Sequence, residues 1–344
     1  MSFSSNSVIA KARSIFGRSL KAEDYAQLCS KSTVAEAAAF LKQTERYNRV
    51  LSAINPQNIH RGQLETLLDR SIFDVFERFH KFDHSDSRVF FRYIIMELEA
   101  QQVLSAIECV AAGAAERYIS ELPVFLTQHA RTDLFALGRA RSFLDIAELL
   151  GNTEFGKLLR PLLIDATENG SIDLRECERR VYTHYYLRSI KTVDKIYSGK
   201  GGAELKRALL KSVDMENVVT CFRMRAFGMS TEKVKASLIP FRYRLNDEAL
   251  DRLMQLSDIS KVESELAAIG YRTDDAVELS AVEQLAERIS MDHLKRLIRM
   301  SRNSAAVYYA LIECLRIEIR NVKTAVEGIR YGIPAGEILE MLVI

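Results

Sequence analysis

Helix breakers are scarce in this chain of 344 residues, which holds only five prolines (Pro56, Pro123, Pro161, Pro240, Pro334) and fifteen glycines. Ala, Leu, Glu, Lys and Arg dominate instead, and apolar residues recur at spacings of three and four, so an almost entirely helical fold is expected. Long hydrophobic runs are missing too. None approaches the roughly 18 residues that a membrane-spanning helix needs, which excludes a helical span. Nor does the segment from Met1 to Arg13 carry a continuous apolar stretch behind its charges, so no secretory leader is expected; Glu23 and Asp24 cut short its weak likeness to a transit peptide. The cysteines (Cys29, Cys109, Cys177, Cys221, Cys314) are odd in number, scattered and without a C-x-x-C pair. That argues against a disulfide framework or a thiolate zinc site and leads to the expectation of a reducing, cytoplasmic compartment. An excess of one charge is absent as well: 48 basic residues face 46 acidic ones, for a net charge of +2. Without a strong basic field nucleic acid is not an expected partner, and protein partners are. What remains is ordinary globular material, 48% apolar and 27% charged, long enough for two or three domains.

Catalytic signatures are equally wanting. Gly199-Lys200-Gly201-Gly202 lacks the spacing and the trailing Ser or Thr of a phosphate-binding loop and reads as a surface loop. Asp83-His84-Ser85-Asp86 lacks the longer alternation and terminal Glu of a calcium loop and reads as a polar connection. The six histidines (His60, His80, His84, His129, His184, His293) form no H-x-x-x-H on an unbroken helix, because Asp83 to Ser87 is expected to interrupt the helix between His80 and His84. No G-x-S-x-G elbow is present and no pair of carboxylates stands out. No catalytic residue, cofactor or metal ligand is therefore assigned.

One frame does occur three times. Fourteen residues before Gly113, Gly228 and Gly332 stand Glu99, Asp214 and Glu318; three residues after each acid comes a side-chain amide (Gln102, Asn217, Asn321), then a valine (Val103, Val218, Val322). Six residues past each glycine is a β-branched residue (Ile119, Val234, Ile338) able to seat a new helix. The pairs Leu28 and Leu41, Leu137 and Leu150, Leu253 and Leu266 share a thirteen-residue separation enclosing a Ser-containing turn (Ser32, Ser142, Ser257). Middle helices follow at Glu65 to Arg70, Glu176 to Arg180 and Glu283 to Arg288, and capping boxes are expected at Thr33-x-x-Glu36 and Ser280-x-x-Glu283. These recurrences suggest three copies of one helical module, at 1–122, 123–245 and 246–344.

Residues four apart share a helix face, so Glu99, Asp214 and Glu318 sit at the margin of an apolar stripe; in the last copy that stripe runs through Tyr308, Leu311, Ile312, Leu315, Ile319, Val322, Val326 and Ile329. A half-buried carboxylate needs a partner, and the middle-helix arginines Arg70, Arg180 and Arg288 are the candidates. These acids and amides either tie helices together or line a surface that meets a partner. Tyr93, Tyr182, Tyr185, Tyr186, Tyr308 and Tyr309 fall at core spacings and are expected to pack.

The triple pattern, especially Met215-Glu216-Asn217-Val218 leading to Phe227-Gly228 and Leu238-Ile239-Pro240, and the ending Gly332-Ile333-Pro334, resembles the C subunit of V/A-type rotary ATPases, called d in eukaryotes. Phe241-Arg242-Tyr243 stands where that family commonly has a glycine-rich turn, and Gln102 where Asn is usual. The resemblance implies an all-α funnel of three similar domains on the cytoplasmic face of a membrane, peripheral to it. It implies a rotor coupling piece without a nucleotide site, which joins central-stalk subunits of D and F type to a membrane rotor ring of proteolipid c/K type. Arg223, Arg225, Arg320, Asn321 and Lys323 are then candidate contacts with partners. The rival reading is a free-standing helical-repeat scaffold that binds peptides or proteins in a concave groove. Co-purification with a rotor ring and a two-subunit stalk separates the two.

Overall fold

A computed structural model describes residues 3–82, 87–197, 200–274 and 281–344. Within them the fold is all-α, with no strand among the described residues, as the rarity of Pro and Gly leads one to expect. In chain order the helices are α1 (Phe3–Phe16), α2 (Ala22–Cys29), α3 (Val34–Gln43), α4 (Arg61–Phe82), α5 (Ser87–Phe91), α6 (Tyr93–Ala111), α7 (Ala115–Glu121), α8 (Leu134–Leu137) and α9 (Phe143–Leu150). There follow α10 (Glu154–Asn169), α11 (Leu174–Ile196), α12 (Lys200–Ala226), α13 (Thr231–Ser237), α14 (Asp247–Leu253), α15 (Ile259–Ala268), α16 (Val282–Met300), α17 (Ser304–Arg330) and α18 (Ala335–Glu340). Two compact units result: Met1–Phe91 with Ile196–Thr231 and Arg242–Ile344, and Arg92–Lys195 with Glu232–Phe241.

The first unit is built on α17. Its apolar stripe is buried throughout, and Ala305 to Ile312 are buried without interruption, so the first third of this helix is enclosed on every side while its later turns keep a charged face. Helices α1, α2, α3, α4, α5, α12, α16 and α18 pack against it. Each fully buried Leu, Ile or Val contributes about 1.5–3 kcal/mol relative to exposure. In the second unit α6 supplies the apolar surface, carrying Ile94, Ile95, Ala100, Val103, Ala106 and Ile107 inward against α7, α8 and α9.

The leucine pairs mark three helix pairs. Leu28, Leu41, Leu137, Leu150, Leu253 and Leu266 are all buried, on α2 and α3, α8 and α9, α14 and α15. Five residues past the first leucine of each pair lies the N-cap of the second helix: Thr33, Ser142 and Asp258, each accepting a backbone N–H of its first turn. Ser32 and Ser257 are thus one position off the capping register. Thr33 caps α3 as expected, but Glu36 reaches past the Thr33 N–H to that of Ser32 (2.9 Å), so the reciprocal half of the expected capping box is displaced by one residue. The second expected capping box is not the start of its helix: α16 has Ala281 at its N-cap, with no side-chain bond, and Ser280 lies outside the described residues.

Gly113, Gly228 and Gly332 adopt φ of +66°, +69° and +69°, conformations that only glycine takes without strain. Each ends its helix in the same way. The glycine N–H bonds back to Val110, Arg225 or Ile329, and the next N–H bonds to Cys109, Met224 or Gly328, which is the Schellman arrangement. A short helix then begins, α7, α13 or α18. Val234 and Ile338 seat theirs fully buried, whereas Ile119 is 45% exposed. Ile338 fits because Gly328 of α17 has no side chain: a Cβ there would come within 2.7 Å of Ile338 Cγ1.

Lys200, Gly201 and Gly202, expected in a loop, instead form the first turn of α12. Ser198, Gly199 and the tract Asp83 to Asp86 lie outside the described residues, and α4 ends just before that tract, at Phe82. Tyr93, Tyr185, Tyr308 and Tyr309 are buried as expected, while Tyr182 and Tyr186 are half-buried.

Candidate functional site

The three repeated acids are buried, Glu99 at 5% exposure, Asp214 at 0% and Glu318 at 4%. Their partners are not the middle-helix arginines. Arg70 lies 3.9 Å from Asp74, one turn along its own helix. Arg180 pairs with Glu176 at 2.7 Å and also donates to the Leu158 carbonyl, in the stretch where Pro161 interrupts the hydrogen bonding of α10. Arg288 lies 3.8 Å from Asp292 and donates to the Ile344 carbonyl.

Each acid instead holds backbone N–H groups at the start of a helix pair. Glu99 Oε1 accepts from the Thr132 N–H (2.7 Å) and hydroxyl (2.5 Å). Asp214 accepts from the N–H of Tyr243 (2.9 Å), Arg244 (2.7 Å) and Leu245 (3.1 Å), and from the Tyr271 hydroxyl (2.6 Å). Glu318 Oε2 accepts from the Leu20 N–H (2.9 Å), and its Oε1 takes Arg46 Nε (2.8 Å) and the Tyr47 hydroxyl (2.9 Å). Leu20, Thr132 and Leu245 occupy one equivalent place, immediately before the N-caps Lys21, Asp133 and Asn246 of α2, α8 and α14. Glu99 and Asp214 therefore each clamp the helix pair that follows them in sequence, and Glu318 returns to the first.

The electrostatics agree with this picture. Burial, then the adjacent Asp214 carboxylate, pushes the Tyr271 phenol upward; burial and Glu318 do the same to Tyr47, so both hydroxyls remain donors. Burial alone would lower the Arg46 guanidinium, and Glu318 beside it, with Tyr47 and Tyr25, outweighs that and leaves it raised. Of the amides, Asn321 serves a structural contact. Asn321 donates to the Val343 carbonyl (2.6 Å) and accepts from the Val343 N–H (3.0 Å), pinning that segment as a neighbouring strand would. Asn217 is buried and Gln102 half-buried.

Of the candidate partner contacts, Arg223 and Arg320 come together on an exposed face. Arg223 of α12 meets Glu283 at 3.1 Å and Arg320 of α17 meets Glu287 at 2.9 Å, with the two glutamates one turn apart on α16. Burial raises the Glu287 carboxyl, against the pull of Arg320 and Arg223. Lys323 of α17 pairs with Asp69 of α4 at 2.8 Å. Arg225 is turned to structural work, donating to the carbonyls of Leu253 (3.4 Å), the last residue of α14, and of Leu256 (2.8 Å) just past it. Arg46, Tyr47, Thr132 and Tyr271 were not singled out by the sequence. The only signal it carried was the capping type of Asp133 and Asn246, which marks the helix starts but not what holds them.

Among the described residues no cluster of His, Cys, Asp and Glu is arranged to hold a metal, and no helix is long and apolar enough to cross a membrane. Residues 8–341 match the family described as ATP synthase (C/AC39) subunit. The chain is 23% identical to the C subunit of the A-type ATP synthase of Pyrococcus horikoshii, over 97% of this chain and 88% of that protein. It is 22% identical to the protein of the same name from Thermococcus onnurineus, over the same shares. With the one from Archaeoglobus fulgidus it shares 22%, over 98% of this chain and 95% of the other. With nearly its whole length matched, the chain belongs to the ATP synthase (C/AC39) subunit family.

Proposed function

We propose that this chain is a non-catalytic coupling subunit of an A/V-type ATP synthase or ATPase, seated on the cytoplasmic face of the membrane. It joins the central-stalk subunits of D and F type to the c/K-type rotor ring and passes torque between them during ATP-coupled proton or sodium transport. In this reading its body is three copies of one helical module, 1–122, 123–245 and 246–344, arranged as a funnel. The observation that carries the reading is the clamp set of Glu99, Asp214 and Glu318, whose third member ties the last long helix back to the first helix pair. A torque-bearing spacer must resist shear, and close-packed helices joined by buried charge-assisted hydrogen bonds do so.

The exposed surface suits the role. A socket exposed before assembly needs polar contacts to avoid aggregation, and Arg223 and Arg320 supply them. Phe227 and Tyr331, just ahead of the Schellman glycines, are 72% and 67% exposed and offer aromatic anchors of the kind enriched at interfaces. Surface ion pairs such as Arg223–Glu283 and Arg320–Glu287 contribute at most ~1 kcal/mol each to folding. Replacing both arginines by Gln is therefore expected to leave the melting temperature nearly unchanged while lowering ATP-driven ion pumping by reconstituted complexes. Full pumping by the double variant would remove these positions from the partner surface.

A further inference from the structure

The coupling role leaves one cationic cleft of the first unit unused. It opens to solvent beside α12, α16 and the turn after α15, has a cavity volume of about 30 Å³, and is lined by Lys211, Gly270, Arg272, Ser290, His293 and Arg296 among others. Lys211 Nζ lies 3.3 Å from His293 Nδ1. An ammonium group only donates, so Nδ1 is the acceptor and the imidazole proton sits on Nε2. That Nε2 is buried and has no hydrogen-bond partner among the described residues. Lys211 likewise has no carboxylate at ion-pair distance among the described residues, an unusual state for a half-buried ammonium. Other positive charges crowd it. Arg207, Arg244 and Arg296 oppose its charge, which together with burial as the leading cause lowers its pKa to about 8. The same combination, burial first and then Lys211, lowers His293 to about 4. Arg244 is occupied by the Ile269 and Gly270 carbonyls, and Arg296 by Asp274 at 2.8 Å. Arg272 is exposed.

An unmatched ammonium and a buried donor lacking an acceptor, beside the exposed Arg272 guanidinium, share a single deficit, that of a negatively charged acceptor, and Arg296, already paired with Asp274, adds positive charge at the rim of the same opening. We propose that this cleft binds a small tetrahedral oxyanion of phosphate type, with Lys211 and His293 as the inner donors and Arg272 and Arg296 as the outer ones. Donors from separate elements suit an anion with acceptor oxygens in several directions better than the planar pair of a carboxylate. The site is independent of the coupling role, since it rests on none of the partner-facing residues.

The test uses the full chain, selectively labelled at histidine, titrated with inorganic phosphate at constant ionic strength, with acetate as the comparison anion. Phosphate is expected to shift one histidine resonance saturably, the one lost in His293→Gln, and to raise the thermal midpoint. Lys211→Gln, which removes an uncompensated charge and is expected to fold, should weaken phosphate about tenfold or more, the loss expected for one charge-assisted hydrogen bond. Arg296→Gln, on the exposed rim, should weaken it by a smaller factor and serves if Lys211→Gln does not fold. Absence of a saturable response, or unchanged affinity in Lys211→Gln and Arg296→Gln, overturns the proposal. Acetate binding as tightly as phosphate overturns it too, in favour of a carboxylate docked from a polypeptide.

Discussion

Replacing Asp214 by Asn separates a clamp from a mere buried acid. Asp214 Oδ1 accepts one bond, from the Tyr243 N–H, and Oδ2 accepts three, from the Arg244 and Leu245 N–H groups and the Tyr271 hydroxyl. In Asn the single oxygen retains the three only by facing its NH₂ toward the Tyr243 N–H, donor against donor. The best case is therefore one hydrogen bond to a charged group lost, at about 1.5–3 kcal/mol, with three more reduced to neutral strength; the total is about 3–5 kcal/mol. That is a large share of the roughly 5–15 kcal/mol by which a domain is stable. The control is Glu99→Gln. Both Glu99 bonds converge on Oε1, so an amide oxygen retains them and the cost is about 1 kcal/mol or less. Urea unfolding followed by circular dichroism measures both. Equal costs for the two, or a cost for Asp214→Asn below about 1 kcal/mol, would refute the bonding scheme.

Three further outcomes follow from the same geometry. Glu318→Gln leaves Arg46, whose side chain is 8% exposed, without a carboxylate and should cost about 3–5 kcal/mol; adding Arg46→Met should recover part of it in a double-mutant cycle of unfolding free energies. Gly228→Ala and Gly332→Ala meet no neighbouring atom and should each cost about 1 kcal/mol through backbone strain alone, while Gly328→Ala should cost more because its Cβ would collide with Ile338; thermal melts rank the three. His293 has a folded pKa of about 4 against an ordinary 6.5, so the unfolded chain binds its proton first as pH falls. In phosphate-free buffer stability should hold above pH 6.5 and decline from there toward about 4, and His293→Gln should remove part of that decline; an identical slope in the variant would contradict the assignment.

What the sequence revealed was what leaves a local trace. Scarce Pro and Gly announced the helices, Thr33 and Ser142 stood at real N-caps, and the glycine frame marked three identical helix endings, because caps and positive-φ turns are decided within a few residues. The partners of the acids left no such trace. Glu318 meets Leu20 across 298 residues, and a backbone N–H is offered by every residue except proline, so no side-chain pattern pointed to it. The arginines of the middle helices were plausible by charge, yet Arg70, Arg180 and Arg288 found acids within one turn of their own helices, where the separation is fixed by helix geometry. Arg225 was legible as a cation but not as a carbonyl donor, since nothing local distinguishes a solvated guanidinium from one that seals the end of α14.

The coupling claim is tested most directly by depleting this chain from the ATPase complex in reconstituted vesicles and adding it back, while ATP hydrolysis and ion uptake are recorded together. The account predicts that depleted complexes still hydrolyse ATP but take up no ions, and that the wild-type chain restores uptake. Ion uptake at the full rate in its absence would contradict it.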